Sequence, residues 1–432
     1  MSRGGRTLAV VYDDGAASAG EIGVGLGDLG RVVFLVPDTP HNRLLRPVME
    51  NLGDVVALTG SPQEDIDLVR KAAPDAVLTY SERMIRKTAE LAQALGLPSH
   101  SPDVARALTD KVRQRRILRD RGVDEVRSHP LRSPQEWPAA LSAVSLPAII
   151  KPVQGGGSRD TYAVTTDAEA AEVLALLFSG ENETGSTEFT VEELLEGRPS
   201  LPYGDYVSVE SVCTEQGVVH LAVTGKFPLM KPFREPGRFW PANVSADEER
   251  AILDLTTRAL QALGVTYGLT HTELKLTASG PRIIEINGRL TGHMNLTTRS
   301  ALGIDLVRIG GLLALGEQPG TGPLDFGGQV HFQFNTMAPT RTCRLERIHG
   351  AAEVRRIPGV AGYRTYAKPG TDIPGGVMTY PLDVVWGTCA DHPSMIEVVR
   401  QALQVLSYDF AFSGGPVRRI TAEELTEATI TV

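Results

Sequence analysis

The stretch 268–287, GLTHTELKLTASGPRIIEIN, constrains this chain more than any other. Two apolar runs with period-2 alternation flank Ala278-Ser279-Gly280, the pattern of two antiparallel strands joined by a short turn. Alternation puts Glu273 on one face with His271 and Lys275, and Glu285 on one face with Asn287. Folding the strands together brings the Glu273 and Glu285 carboxylates toward each other. Two acids embedded in apolar strands are costly when buried without a cation. Two carboxylates and an amide oxygen are hard ligands suited to Mg²⁺, whose shell is normally completed by phosphates and water. A solvent-facing polar surface is the plainer alternative for the same pattern.

Two more features point the same way. Residues 151–158 read Lys-Pro-Val-Gln-Gly-Gly-Gly-Ser. A lysine at a strand end, then three glycines and a hydroxyl, suits phosphate: glycines let backbone N–H groups approach its oxygens, and Lys151 adds a compact charge. This is not a Walker A loop, because the lysine precedes the glycines. An ordinary flexible hairpin is the alternative. Arg289 follows Asn287 by two residues and adjoins Gly288, so it can hold a carboxylate or phosphoryl oxygen bidentately, or serve as a surface cation.

Elsewhere, short apolar runs at 8–12, 31–36, 54–58 and 76–79 alternate with helical patterns at 63–73 and 82–95. This βαβ rhythm predicts a parallel sheet covered by helices. Ser101 caps a further helical pattern, and a basic helix follows at 110–121. Most of its cations, among them Lys111, Arg113, Arg115, Arg116 and Arg119, read as a solvated face. Strand patterns at 147–153 and 162–165 flank the glycine turn. A helix at 168–177, a strand at 189–194, a hairpin at 206–213 and 218–224, and a helix at 246–263 follow. Beyond 319 the chain is β-rich with one helix, 394–406. Gly25, Gly27 and Gly30 fit G-x-G-x-x-G, but no strand leads directly into them. Gly30 reads as the residue that ends a helix rather than part of a dinucleotide turn.

A length of 432 residues suggests two to four domains. The net charge of −9, with no basic stripe, excludes a typical nucleic-acid binder. Cys213, Cys343 and Cys389 are too few and too scattered for a disulfide framework or a structural zinc site. No run approaches the ~20 apolar residues of a membrane span, and the run 8–12 is too short for a signal segment. A cytoplasmic protein without membrane association is expected.

Taken in order, Lys151 and its glycine loop, Val191-Glu192-Glu193-Leu194-Leu195, Ser208-Val209-Glu210 and Glu285-Ile286-Asn287-Gly288-Arg289 resemble the ATP-grasp superfamily. The likeness is to carboxylate–amine ligases related to biotin carboxylase and the L-amino-acid ligases. It covers roughly 101–305. It implies a multidomain α/β and α+β chain: an N-terminal parallel-sheet domain at 1–100, an ATP-grasp core at 101–318 with a small lid subdomain near 146–195, and a C-terminal β-rich lid domain at 319–432.

The resemblance also assigns roles. Lys111 and Lys151 would meet ATP phosphates, and Gly155, Gly156, Gly157 and Ser158 would close over them. Glu192, Glu193 and Leu195 would line the base, with Glu210 near the nucleotide. Glu273, Glu285 and Asn287 would hold Mg²⁺, as two ions that Mn²⁺ can replace. Arg289, with Lys151, would act in catalysis, orienting the substrate carboxylate or acyl-phosphate. Lys226, Glu235, Arg238 and His293 are further substrate-binding candidates. The loop departs from many relatives, reading Ser158-Arg159-Asp160 where they place another glycine after the serine. No biotin-domain signature accompanies the core.

The implied activity is amide formation between a carboxylate and an amine through an acyl-phosphate, with amino acids as partners and a homodimer as one possible assembly. The rival readings are an ATP-grasp enzyme of nucleotide biosynthesis or carboxylation, a non-catalytic nucleotide-binding module, and an NAD-binding protein built on the N-terminal sheet.

Overall fold

The computed structural model describes residues 5–180, 182–292 and 294–426. Its first sheet is parallel, in the order β3-β2-β1-β4, from β1 (Thr7–Val11), β2 (Arg31–Val36), β3 (Asp54–Ala57) and β4 (Ala76–Leu78). Strand alternation divides its side chains between two cores. Leu8 and Val10 pack with Ile22, Leu26 and Val307, whereas Ala9 and Val11 pack with Val69, Leu91 and Ala92. Helices therefore cover both faces, which is why β1 and β2 are continuous apolar runs. One covering helix, Leu306–Ala314, comes from far along the chain, and the Tyr80 hydroxyl donates to Val307 O at 2.6 Å.

Gly30 does not end a helix as its sequence context suggests. The helix Ala19–Leu26 ends at Gly27, and Gly30 leads into β2. These glycines serve packing: a Cβ on Gly25 would meet Val307 at 2.8 Å, and one on Gly30 would meet Arg6 O at 2.6 Å.

A second four-stranded sheet is antiparallel, in the order β5-β8-β6-β7, from β5 (Ser128–Leu131), β6 (Ala148–Pro152), β7 (Tyr162–Val164) and β8 (Phe189–Glu193). The helices Trp137–Val144 and Asp167–Leu177 supply the rest of its core.

The largest sheet has eight strands. Five are β9 (Tyr206–Thr214), β10 (Gly217–Lys226), β11 (Gly237–Trp240), β12 (Gly268–Thr277) and β13 (Gly280–Asn287). The order β13-β12-β9-β10-β11 is then continued by Val330–Phe334, Asp383–Cys389 and Val360–Thr365. Three strands from beyond residue 319 thus extend the sheet that carries the acidic hairpin. A last four-stranded sheet packs beside the helix His392–Val405.

β13 is an edge strand, and its free edge is covered rather than left open. The helix Lys111–Asp120 lies along it. Gln114 exchanges two hydrogen bonds of 2.9 Å with the Ile286 backbone, and Arg115 donates to Ile283 O at 2.6 Å and Ile284 O at 2.7 Å. Cys213, Cys343 and Cys389 are buried free thiols. Among the described residues no helix is long and apolar enough to cross a membrane.

Candidate active site

The second four-stranded sheet, the eight-stranded sheet, the helix Lys111–Asp120 and the C-terminal segment meet around a cavity of about 430 Å³. Glu273 and Glu285 are direct partners in the β12–β13 ladder, as are His271 and Asn287. The hairpin therefore presents both carboxylates to the cavity, as alternation predicts. Each has a close basic neighbour. Lys111 Nζ lies 3.0 Å from Glu285 Oε1, and His271 Nε2 lies 3.0 Å from Glu273 Oε1. Behind His271, Glu210 meets Nδ1 at 2.8 Å. Burial opposes charging of His271, but Glu210 and Glu273 outweigh it and hold its pKa above the usual imidazole range. Burial also opposes ionisation of Glu273, yet its bond to His271 and the nearby Lys226 and Arg289 charges bring it down to about 2.

Lys111, Lys151 and the glycine loop converge opposite the hairpin. Asp110 caps the helix Lys111–Asp120 by accepting from Arg113 N at 2.9 Å, which fixes Lys111 at the helix start. Lys111 Nζ also donates to Gly155 O at 2.9 Å. Burial lowers its proton affinity, but Glu285 more than restores it. Lys151, at the end of β6, lies 3.0 Å from Glu192 Oε2, and here burial prevails and pulls the lysine down.

The glycine loop turns through left-handed conformations at Gly155 (φ +129°) and Gly157 (φ +72°), which suit residues without a Cβ. The departure after Ser158 is absorbed locally. Asp160 itself takes φ +50°, and its carboxylate accepts from the backbone of Glu183 and Thr184 at 3.1 and 2.7 Å. Aspartate tolerates this region better than most residues. The loop is fastened by Ser158 Oγ donating to Phe233 O at 2.7 Å and by Thr379 N donating to Gly157 O at 3.2 Å.

Other expected residues are placed as follows. Glu193 and Leu195 line the cavity, with Glu193 held by Arg127 at 2.8 Å. Glu192 lines it too, but its carboxylate is bound by Arg115 Nη2 at 2.7 Å and by Lys151. Glu210 is not at the wall; it lies behind His271, on the neighbouring strand β9. Glu235 and Arg238 line the cavity, joined at 2.7 Å, and Arg238 also donates to Thr291 and Gly292 at 2.8 Å. Lys226 is fully buried, with Nζ on Glu235 Oε2 at 2.9 Å, so it braces Glu235 rather than forming the wall. Arg289 lines the cavity and pairs with Glu82 at 2.9 Å. His293 lies outside the described residues.

Three contributors escaped the sequence reading. Arg115, expected in solvent, is buried, and with Lys151 it lowers Glu192 to about 2 against the opposing effect of burial. Glu82 reaches in from the N-terminal sheet. Asn335, Thr379 and Pro381 bring the C-terminal segment to the wall. Helical spacing from Lys111 could have flagged Arg115, since four positions along lies the same face; nothing local flags Glu82.

The donor set fits a hard divalent cation. Glu273, Glu285 and Asn287 offer oxygens beside two lysines and a glycine loop that suit phosphate. Among the described residues no group of three or more acidic, histidine or cysteine side chains is arranged to cage a metal unaided. Phosphate and water oxygens would therefore have to complete the shell, the usual condition of Mg²⁺.

This chain has the ATP-grasp fold: residues 144–298 match the ATP-grasp domain family. The solved structure of an L-amino acid ligase from Bacillus licheniformis superimposes with a TM-score of 0.75 at 21% identity, covering 93% of this chain and 98% of that one. The alanine–anticapsin ligase of Bacillus subtilis is 25% identical over 284 residues, 62% of this chain. Carnosine synthase 1 of Gallus gallus is 30% identical over 268 residues, 58% of this chain. The matched stretches span 57% and 28% of those two enzymes' own lengths.

Proposed function

We propose that the protein is an ATP-dependent ligase that joins the carboxylate of one amino acid to the amine of another through an acyl-phosphate. The observation carrying this reading is the pairing of Glu273 with Glu285 on a cavity wall that also holds Lys111, Lys151 and the glycine loop. Relatives named alanine–anticapsin ligase and carnosine synthase 1 support it.

In this reading Glu193 and Leu195 line the base, while Lys111, Lys151 and Gly155 to Ser158 hold the phosphates. Glu192 acts on the nucleotide through Lys151, whose ammonium it positions. Glu273, Glu285 and Asn287 would hold Mg²⁺, which when bound supplies charge neutralisation at the phosphates. The substrate carboxylate oxygen bonds to the γ-phosphorus, the bond to ADP breaks, and an acyl-phosphate results. Arg289, fixed by Glu82, and Arg238, fixed by Glu235, are placed to hold the carboxylate group. The amine nitrogen then bonds to the acyl carbon, phosphate departs, and the nitrogen gives up a proton. The fastened glycine loop keeps water from the acyl-phosphate.

The test combines purified protein with Mg²⁺, ATP and pooled amino acids, read by nucleotide analysis and mass spectrometry. ADP, phosphate and a product one water lighter than its two parents are expected. AMP with pyrophosphate would overturn the acyl-phosphate route.

A further inference from the structure

A second cavity, of about 530 Å³, opens on the other side of the same centre. The two cavities share Lys111, Glu285, Arg289 and the glycine loop, so the candidate phosphate centre stands at their junction. The outer wall of the second is built by the N-terminal sheet. Asp14 and Gly15 follow β1, and Glu82, Arg83 and Arg86 follow β4. These positions lie beyond the carboxyl ends of parallel strands, where open α/β sheets hold ligands.

The charges on this wall are unequally engaged. Glu82, at the inner end, pairs with Arg289. Among the described residues Arg83 comes no nearer than 4.0 Å to a carboxylate, that of Asp13. Arg86 uses Nε on Thr109 Oγ1 at 2.6 Å and, among the described residues, meets no carboxylate. Arg83 and Arg86 are three residues apart, a helical spacing that puts them on one face. Two adjacent guanidinium forks suit a carboxylate. Toward the shared centre Glu82 and Glu285 are paired with Arg289 and Lys111, whereas Arg83 and Arg86 on the outer wall have no close carboxylate among the described residues; Asp14 and Glu183 also line the cavity.

We infer that this second cavity binds the amine substrate, and that this substrate is an amino acid whose own carboxylate is held by Arg83 and Arg86 with its ammonium toward Glu82. The inference rests on the ligase reading above. The two guanidinium groups suit the carboxylate of an amino acid whose amine faces the centre shared by the two cavities. The carboxylate to be phosphorylated has a separate place, in the first cavity at Arg289 and Arg238. In the reaction the ammonium loses one proton to become nucleophilic. Its nitrogen bonds to the acyl carbon, the carbon–oxygen bond to phosphate breaks, and a second proton leaves the new amide. The product keeps a free carboxylate from the amine partner.

The test supplies the full-length protein with Mg²⁺, ATP and, as amines, L-amino acids or their C-terminal amides. Hydroxylamine is used separately on the unaltered enzyme to trap acyl-phosphate as a hydroxamate. Hydroxamate formation without any effect of the arginines would sink this inference alone; no hydroxamate with any carboxylate would sink the ligase reading beneath it. The expected result is that the unaltered enzyme prefers acids over amides at least tenfold in kcat/KM. The pair Arg83→Ala and Arg86→Ala should remove most of that preference by raising KM for the acids, with Arg83→Lys restoring part of it. Equal loss for acids and amides, or a raised KM for the phosphorylated carboxylate instead, would overturn the assignment.

Discussion

Arg115 is 4% exposed on a helix whose charges look solvent-facing in sequence. Its partner Glu192 is 77 residues away, so no local pattern could announce the pair. Removing one member of a buried pair leaves the other charge uncompensated, at a cost of about 3–5 kcal/mol. Arg115→Met should therefore lower unfolding stability by about that amount in urea titration; a loss below ~1 kcal/mol would show that Glu192 finds other compensation. His100 supplies a pH test. Among the described residues its Nδ1 is buried without a partner, and burial pushes its pKa down to about 4 from 6.5. A depressed pKa gives stability that is present above pH 6.5 and lost as pH falls through about 4. His100→Gln should flatten the fall in stability between pH 6.5 and 4, measured by denaturant unfolding at each pH.

The β12–β13 hairpin was legible because its evidence is local: alternation fixes faces, and a short turn fixes pairing. The structure sets Glu273 opposite Glu285 with a register shift just after Glu273. The parallel N-terminal strands were legible for the same reason, each being a short apolar run. What covers the edge of β13 was not legible, because Gln114 bonds Ile286 across 172 residues. Nor was the joining of Val330–Phe334 and Asp383–Cys389 to the same sheet, since sheet order over such distances leaves no mark in composition. If the hairpin holds Mg²⁺, Glu285→Gln and Glu273→Gln should each raise the Mg²⁺ concentration for half-maximal turnover at least tenfold, about 1.4 kcal/mol, with unchanged circular dichroism. An unchanged Mg²⁺ dependence would remove these residues from the metal site.

At the scale of the whole molecule, the candidate centre belongs to no single sheet. The second sheet supplies Lys151 and the glycine loop, the eight-stranded sheet supplies Glu273 and Glu285, and the N-terminal sheet reaches in with Glu82. The C-terminal segment closes the wall at Thr379 and fastens the loop. Sequence motifs located the first two contributions; the others depend on docking of distant elements, as the Tyr80 bond to Val307 does. In the proposed function this convergence lets one cavity serve a nucleotide and its neighbour serve a second substrate. In the proposed mechanism a carboxylate oxygen is transferred to phosphate. Once the carboxylate substrate is identified, it should be labelled with ¹⁸O and turned over with Mg²⁺ and ATP, and the released phosphate weighed by mass spectrometry. One ¹⁸O per phosphate is the predicted result. Label in AMP, or unlabelled phosphate beside a labelled amide, would contradict it.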